Sequence, residues 1–194
     1  MKKIMMIAAM MLMSMGAFAQ NEVGQFTLQP KVGINIASIT ADFQNKKSKV
    51  GLIAGVEGEY GIAENFGLTV GLLYSMEGCK SGDLKFNLDY INIPILAQVY
   101  PIKGLAVKAG IQPAFNVRHK ASLNGNSVDI NDVLGAYGSK VQSFNFSIPV
   151  GLSYEYQSFV LDARYNIGVT KIFKDSNQGR NSTITFTVGY KFAL

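Results

Sequence analysis

The sequence predicts an all-β protein, an eight-stranded antiparallel up-and-down transmembrane β-barrel. Three observations support this fold class: an export leader at the N-terminus, apolar and polar residues that alternate with a period of two, and connections that alternate between short and long. Because successive residues of a strand point to opposite faces of a sheet, a period of two predicts strands that each have one apolar and one polar face.

Residues 1–19 have the three regions of a cleaved secretory signal peptide. Two lysines precede the apolar run 4–15, and the small-residue box Ala-Phe-Ala at 17–19 supplies a cleavage site. The apolar run is shorter than the roughly 20 residues that a membrane-spanning helix needs. We therefore expect an exported protein that begins at Gln20 and whose residues 20–194 form one outer-membrane β-barrel domain.

Segments 26–36, 49–62 and 66–76 are the first three predicted strands. In segment 49–62 the even positions are apolar or small, while the odd positions include three glycines and two glutamates. The same division recurs in the other two segments. The even, apolar face of segment 49–62 consists of Val50, Leu52, Ala54, Val56, Gly58, Tyr60 and Ile62.

Five further segments alternate in the same way. In the third of them every even position is Phe, Ile, Val, Leu or Tyr, and polar residues, proline and glycine lie between. Strands of about 9 to 11 residues cross a bilayer when they are tilted, so the total of eight segments predicts an eight-stranded barrel. These five segments are 91–99, 105–117, 144–156, 159–169 and 184–192.

The predicted connections alternate in length. Short links are expected at 63–65, 101–104 and 157–158, and long polar links at 38–48, 78–87, 119–142 and 173–181. Transmembrane barrels have short periplasmic turns and longer extracellular loops. This pattern predicts that both termini are periplasmic and that the four long links are extracellular.

The polar face distinguishes a membrane barrel from its structural rival, a soluble periplasmic sandwich. That face is mostly Gly, Ser, Thr and Asn, with five acidic and five basic residues, which suits a narrow lumen where every buried charge needs a partner. The apolar face carries no charge within the predicted spans. The ten charged residues assigned to the lumen are Lys31, Glu57, Glu59, Glu77, Lys108, Arg118, Glu155, Asp162, Arg164 and Lys191.

Aromatic residues concentrate near the ends of the predicted strands, as expected of the two interfacial girdles of a membrane barrel. Seven lie on the side of the short links, and four lie on the side of the long links. The first group is Tyr60, Phe66, Tyr154, Tyr156, Phe159, Tyr190 and Phe192, and the second is Tyr74, Phe115, Phe144 and Phe146.

Two segments, 87–101 (NLDYINIPILAQVYP) and 161–172 (LDARYNIGVTKI), resemble the outer-membrane β-barrel domain family common in Bacteroidota, often described as porin-like or PorT-like. The resemblance spans nearly all of the chain after the leader. It implies a compact eight-stranded barrel without a defined biochemical activity. The last strand is also similar to the signal read by the barrel-assembly machinery, although Ala193 and Leu194 follow its final aromatic residue, Phe192.

We predict no catalytic residue, no cofactor-binding residue and no metal ligand, and therefore no cofactor. The sole histidine, His119, lies near Ser122, Ser127 and Asp129 in sequence, but a catalytic triad requires hydrogen-bond contact that sequence proximity does not establish. Cys79 is the only cysteine and is far from His119, so no metal-binding motif forms.

The function predicted is that of a non-enzymatic barrel that contributes to envelope structure or surface interaction through its extracellular loops. A narrow porin, a transport or secretion accessory, and an outer-membrane lipid-modifying or proteolytic enzyme are the alternatives. Removing the leader takes away two of 18 basic residues and none of 13 acidic ones, so the net charge falls from +5 to +3. This mild charge predicts no nucleic-acid partner. The partners expected for this monomer are outer-membrane lipid and lipopolysaccharide, the barrel-assembly machinery and an unknown surface ligand.

Overall fold

A computed structural model describes residues 23–40, 47–81, 84–123, 126–129, 143–171 and 180–194. At 38–40, 47, 78–81, 84–87, 119–123, 126–129, 171 and 180–181 the description covers the backbone alone. The predicted signal peptide and the predicted start at Gln20 lie outside these residues. No helix in the described ranges has the length and apolar character needed to cross a membrane.

The described residues are almost entirely in β-strands. The strands are β1 (Phe26–Thr40), β2 (Lys47–Ala63), β3 (Phe66–Ser81), β4 (Leu84–Asn92), β5 (Ile95–Ile102), β6 (Leu105–Leu123), β7 (Asn126–Asp129), β8 (Phe144–Tyr156), β9 (Phe159–Lys171), β10 (Arg180–Tyr190) and β11 (Phe192–Ala193).

Together the described strands form a closed, all-antiparallel barrel with eight walls, as the sequence predicts. We call a wall either one strand that runs the height of the barrel or two successive strands that together do so. β4 and β5 make one wall, which is interrupted at Ile93 and Pro94, and β10 and β11 make the last wall, which is interrupted at Lys191. β7 pairs only with the end of β6. Closure comes from β1, which pairs with β2 on one side and with β10 and β11 on the other.

The short connections are tight turns at one end of the barrel. Glu64–Asn65 joins β2 to β3, Lys103–Gly104 joins β5 to β6, and Gln157–Ser158 joins β8 to β9. The backbone at Leu194 donates to the carbonyl of Phe26, so the two described ends of the chain meet here as well. We call this the turn end and the opposite rim the loop end.

The strands continue further toward the loop end than the alternation predicts. All four expected long links are wrong in their bounds. β1 extends to residue 40 and β2 begins at residue 47, so 38–48 is too long, and β10 begins at residue 180, inside 173–181. β3 extends to residue 81, β4 begins at residue 84 and β6 extends to residue 123, which shortens 78–87 and 119–142 in the same way. Backbone pairing continues beyond the predicted apolar bands. Alternation therefore reports the apolar band of a strand and not its full length.

The distribution of burial is the reverse of that in a soluble protein. Val56 is 42% exposed and Leu72 is 54% exposed on the outer wall, whereas Glu57 and Gln98, on the inner wall, are each 1% exposed. A sandwich would bury its apolar faces between two sheets. The closed barrel with its apolar exterior thus excludes the soluble sandwich. The lumen and the two rims are the parts of the barrel that carry polar residues and could serve a function.

Candidate functional site

The lumen is crossed by ion pairs centred on Glu57 of β2. Its Oε2 atom lies 2.6 Å from the Lys31 ammonium on β1. The Arg164 guanidinium on β9 donates to both carboxylate oxygens, with Nη1 to Oε1 at 2.5 Å and Nη2 to Oε2 at 2.7 Å. Two other walls separate β9 from β2, so this bidentate pair spans the inside of the barrel.

Asp162 of β9 extends the same group of charges to a fourth strand. Its Oδ2 atom accepts from Lys108 of β6 at 2.8 Å and from Arg164 at 2.7 Å, and it lies 3.6 Å from Lys31. All five side chains are nearly inaccessible to solvent, and a buried charge is tolerated only when it is paired and hydrogen-bonded. We call Lys31, Glu57, Lys108, Asp162 and Arg164 the central cluster.

Glycines on the inner wall leave the space that these long side chains occupy. A Cβ atom on Gly71 would lie 2.5 Å from Cγ of Glu57, and one on Gly151 would lie 2.9 Å from Cγ of Arg164. Both separations are too short for carbon atoms, so any side chain at these two positions would displace a member of the central cluster.

A second group of charges lies nearer the turn end. The Lys191 ammonium is 2.8 Å from Glu155 and 3.0 Å from Glu59, and the Tyr100 hydroxyl donates to Glu59 at 2.5 Å. These residues belong to β2, β5, β8 and the interruption between β10 and β11. We call Glu59, Tyr100, Glu155 and Lys191 the turn-end cluster.

Toward the loop end the lumen is polar but carries few charges. Asn35 donates to Ser75 at 2.6 Å, and Ser75 donates to Glu77 at 2.8 Å. A cavity of about 30 Å³ follows, lined by amides and hydroxyls that include Tyr90 and Asn166. This cavity has room for only about two water molecules.

The predicted pairing of lumen charges is confirmed for the residues of these clusters, but the placement of Arg118 in the lumen is wrong. The register between β4 and β6 shifts so that Asp89 opposes Arg118 while Tyr90 opposes Asn116. The extra residue, Val117, forms a β-bulge that turns Arg118 to the outer wall, where 57% of its side chain is exposed.

The same region contains a buried acid that the sequence analysis missed. Asp89 opposes Met76 of β3, whose side chain is on the outer wall, yet Asp89 is only 4% exposed. The Tyr74 hydroxyl donates to its Oδ2 atom at 2.7 Å, and Nη1 of Arg118 lies 3.6 Å from the same atom. We call Tyr74, Asp89 and Arg118 the outer-face cluster.

Asp89 was missed because it falls between the predicted link 78–87 and the predicted strand 91–99, so the sequence analysis placed it on neither face of a strand. The prediction of an apolar face without charge was made for the predicted spans alone, and Asp89 lies outside them, on the longer strand β4. Knowledge that strand pairing begins at residue 84 would have revealed the position of Asp89. No local feature of the sequence indicates where this pairing begins.

The backbone places the candidate catalytic residues on one hairpin. Ser122 of β6 opposes Ser127 of β7, and Asp129 opposes Lys120, the residue that follows His119. The side chains of these residues, and that of Cys79 on β3, are not among those described. Within the described part of the chain, no three His, Cys, Asp or Glu residues are grouped to hold a metal ion.

Comparisons with known proteins agree on the architecture. Residues 18–174 match the family model of the outer membrane protein β-barrel domain. No curated protein matches the chain. The attachment invasion locus protein Ail of Yersinia pestis is similar in structure, with 15% identity, a TM-score of 0.56 and coverage of 88% of this chain and 100% of that one. Neisserial surface protein A is similar too, with 18% identity, a TM-score of 0.57 and coverage of 86% and 97%.

Proposed function

Because the chain belongs to the outer membrane protein β-barrel domain family, we propose that it is a non-enzymatic outer-membrane barrel that serves envelope structure or surface interaction through its loop end. The central cluster is the observation that carries this proposal. Its ion pairs join strands on different sides of the lumen, so the barrel interior stabilises the fold and leaves the rim as the working surface. Eight-stranded barrels generally leave only enough interior space for side chains.

In this proposal the loop end faces outward and both termini are periplasmic. Support comes from the three tight turns at the opposite end, since membrane barrels of this kind keep their short turns on the periplasmic side. The finer assignment to the porin-like or PorT-like barrels of Bacteroidota is also part of the proposal, as are monomeric state, export by a signal peptide and insertion by the barrel-assembly machinery.

The proposed surface interaction is with polyanions, including lipopolysaccharide. The loop-end parts of the chain, residues 38–49, 78–87, 119–142 and 173–181, carry nine basic and five acidic residues in sequence, which favours anionic partners. One structure of Ail is a complex with the heparin analogue sucrose octasulfate, a highly charged anion. The basic residues of these parts are Lys46, Lys47, Lys49, Lys80, Lys85, Lys120, Lys140, Lys174 and Arg180, and the acidic ones are Asp42, Asp83, Asp129, Asp132 and Asp175.

Conductance tests the filled lumen. Purified barrel that shows boiling-dependent gel migration would be reconstituted into a planar bilayer, and we expect no steady single-channel current. A reproducible current from the folded barrel would contradict the proposal and favour the narrow porin or transport accessory.

Cell display tests the surface role. Cells that display the barrel are expected to bind heparin-coated beads, and the triple variant Lys46→Gln/Lys140→Gln/Lys174→Gln, which removes three positive charges near the loop end, is expected to reduce binding. Lys103→Gln, a charge removal at the turn end, is the matched control and should leave binding unchanged. Absence of binding by the unmodified barrel would overturn the polyanion role, while an enzymatic phenotype lost in His119→Ala would favour the outer-membrane enzyme.

A further inference from the structure

We propose that the outer-face cluster is a binding site for the phosphate group of an anionic lipid in the outer leaflet, with Arg118 as the phosphate ligand. The inference deepens the proposed function, because it rests on the orientation in which the loop end faces outward. It concerns the lipid-facing wall of the barrel, whereas the proposed surface role concerns the connections between strands.

The β-bulge at Val117 makes this site possible. Without the extra residue, Arg118 would continue the inward series formed by Lys108, Gln112 and Asn116 on β6. The shift in register instead places the guanidinium on the outer wall, where 57% of the side chain is exposed. β-bulges re-aim individual side chains in this manner, often at functional sites.

Asp89 and Tyr74 lie beside the guanidinium but do not occupy most of its hydrogen-bond donors. At 3.6 Å, the separation of Nη1 from Oδ2 of Asp89 is longer than a good hydrogen bond, so most of the five N–H donors of Arg118 remain directed elsewhere. The Asp89 carboxylate is almost fully covered and already accepts the Tyr74 hydroxyl. A second anion would therefore meet the exposed edge of the guanidinium and not the carboxylate.

The depth of the cluster fits the lipid phosphates. Phe115 and Phe144 contact each other edge-to-face on the outer wall, with ring centroids 5.5 Å apart, and both are close to half exposed. Aromatic side chains in such positions mark the membrane interface. Arg118 follows Phe115 by three residues toward the loop end, which brings its guanidinium to the level of the headgroups.

The chemistry of the ligand follows from that of arginine. A guanidinium presents donors in a planar fork that matches two phosphate oxygens, and its weak hydration suits an interface that is only partly wet. The aliphatic part of the side chain can lie along the apolar wall while the charged head stays among the headgroups. Outer-leaflet lipids with phosphate on a glycolipid headgroup, such as lipid A, meet this description.

Native mass spectrometry with a defined lipid tests the site. The full barrel in octyl glucoside would be titrated with bisphosphorylated lipid A and, separately, with dephosphorylated lipid A. We expect Arg118→Gln to weaken binding of the phosphorylated lipid by about fivefold or more, the effect of one basic residue near an anionic surface. The matched control Lys103→Gln, at the turn end, should bind like the unmodified barrel.

Three results would overturn the proposal: unchanged binding in Arg118→Gln, an equal loss in Lys103→Gln, or equal affinity for the two lipids. Displacement of lipid A by inorganic phosphate at a similar concentration would identify a free-phosphate site and would also reject the lipid. Arg118→Gln removes the cation beside the buried Asp89 and so risks unfolding the barrel. The double variant Arg118→Gln/Asp89→Asn, which removes both charges, is therefore measured beside it and should show the same loss.

These outcomes are separable from those of the proposed surface role. The lipid titration uses the unmodified loop end and needs no cell surface, whereas the bead assay changes loop-end lysines and leaves the outer-face cluster untouched. Bead binding without lipid A selectivity would reject this site alone, and lipid A selectivity without bead binding would reject polyanion binding by the loop-end residues alone.

Discussion

Glu57 connects three strands through one carboxylate. It accepts from Lys31 and, in a bidentate pair, from Arg164, while Asp162 shares both cations. Each of these charges is buried, and its desolvation cost is compensated only while its ion-pair partners are present. The energetic role of such a side chain is therefore best measured by removing one partner and leaving the others.

Glu57→Gln is expected to lower the free energy of unfolding by about 3 to 5 kcal/mol, because two cations would stay buried with too few anions. Urea unfolding of the barrel in lipid vesicles, followed by circular dichroism, measures this change. Glu64→Gln at the exposed turn between β2 and β3 is the control for loss of a carboxylate and should have a much smaller effect. A loss below about 1 kcal/mol in Glu57→Gln would mean that the cluster rearranges to compensate.

Two of the turns at the turn end each contain one residue in the left-handed backbone region. Gly104 has a φ of 78°, where glycine is favoured, but Gln157 has a φ of 57° in the same left-handed region. A side chain in that region is disfavoured by about 1 kcal/mol or more. A glycine is therefore expected to be more stable than a residue with a side chain at both positions. Introducing glycine at Gln157 should stabilise the barrel, and removing it at Gly104 should destabilise the barrel.

Gln157→Gly is expected to raise the free energy of unfolding by up to about 1 kcal/mol, and Gly104→Ala to lower it by about the same amount. The measurement is the same urea titration. If Gln157→Gly destabilises the barrel instead, contacts of the glutamine side chain outweigh the backbone preference.

The apolar outer face of β3 is the part of the wall that contacts lipid tails. Leu72→Lys, about halfway along the wall, is expected to destabilise the inserted barrel by about 2 to 4 kcal/mol, and Ile62→Lys, on the outer face of β2 beside the turn, by about 1 kcal/mol or less. Equal effects of the two lysines on unfolding from vesicles would contradict the assignment of the membrane midplane.

Alternation predicts the walls well because lipid and a filled lumen impose opposite demands on successive residues. It identified the eight walls and, apart from Arg118, the charges that fill the lumen, including the residues that form the central cluster. It failed at Val117, since a bulge inserts one residue without changing the composition of the strand and reverses the face of Arg118, the residue after it. It also failed to pair Glu57 with Arg164, because contacts across the lumen depend on strand tilt and register.

The whole barrel depends on the seam between its first and last walls. Ile34 of β1 opposes Phe186 of β10 in the register of that seam. Directly opposed residues have Cβ atoms only about 5 Å apart, which is within reach of a short bifunctional reagent.

A barrel with Ile34→Cys and Phe186→Cys, in a Cys79→Ser background, is expected to form an intramolecular cross-link with a short bis-maleimide, seen as a shift in migration on a denaturing gel. Ile34→Cys with Val150→Cys is the control, since β9 and β10 lie between β1 and β8. Failure of the seam pair, or equal reaction of the control, would contradict closure between β1 and β10.

Because of this seam, the barrel cannot close until the C-terminal strands are present. β1 cannot acquire its second neighbour until residues 180–193 have been delivered, and Arg164 must find Glu57 across a separation of 107 residues. A chain truncated before residue 180 would expose two strand edges, which invite pairing with other chains or proteolysis. Closure of the barrel therefore depends on delivery of the last wall, and we expect copies truncated before residue 180 to be degraded.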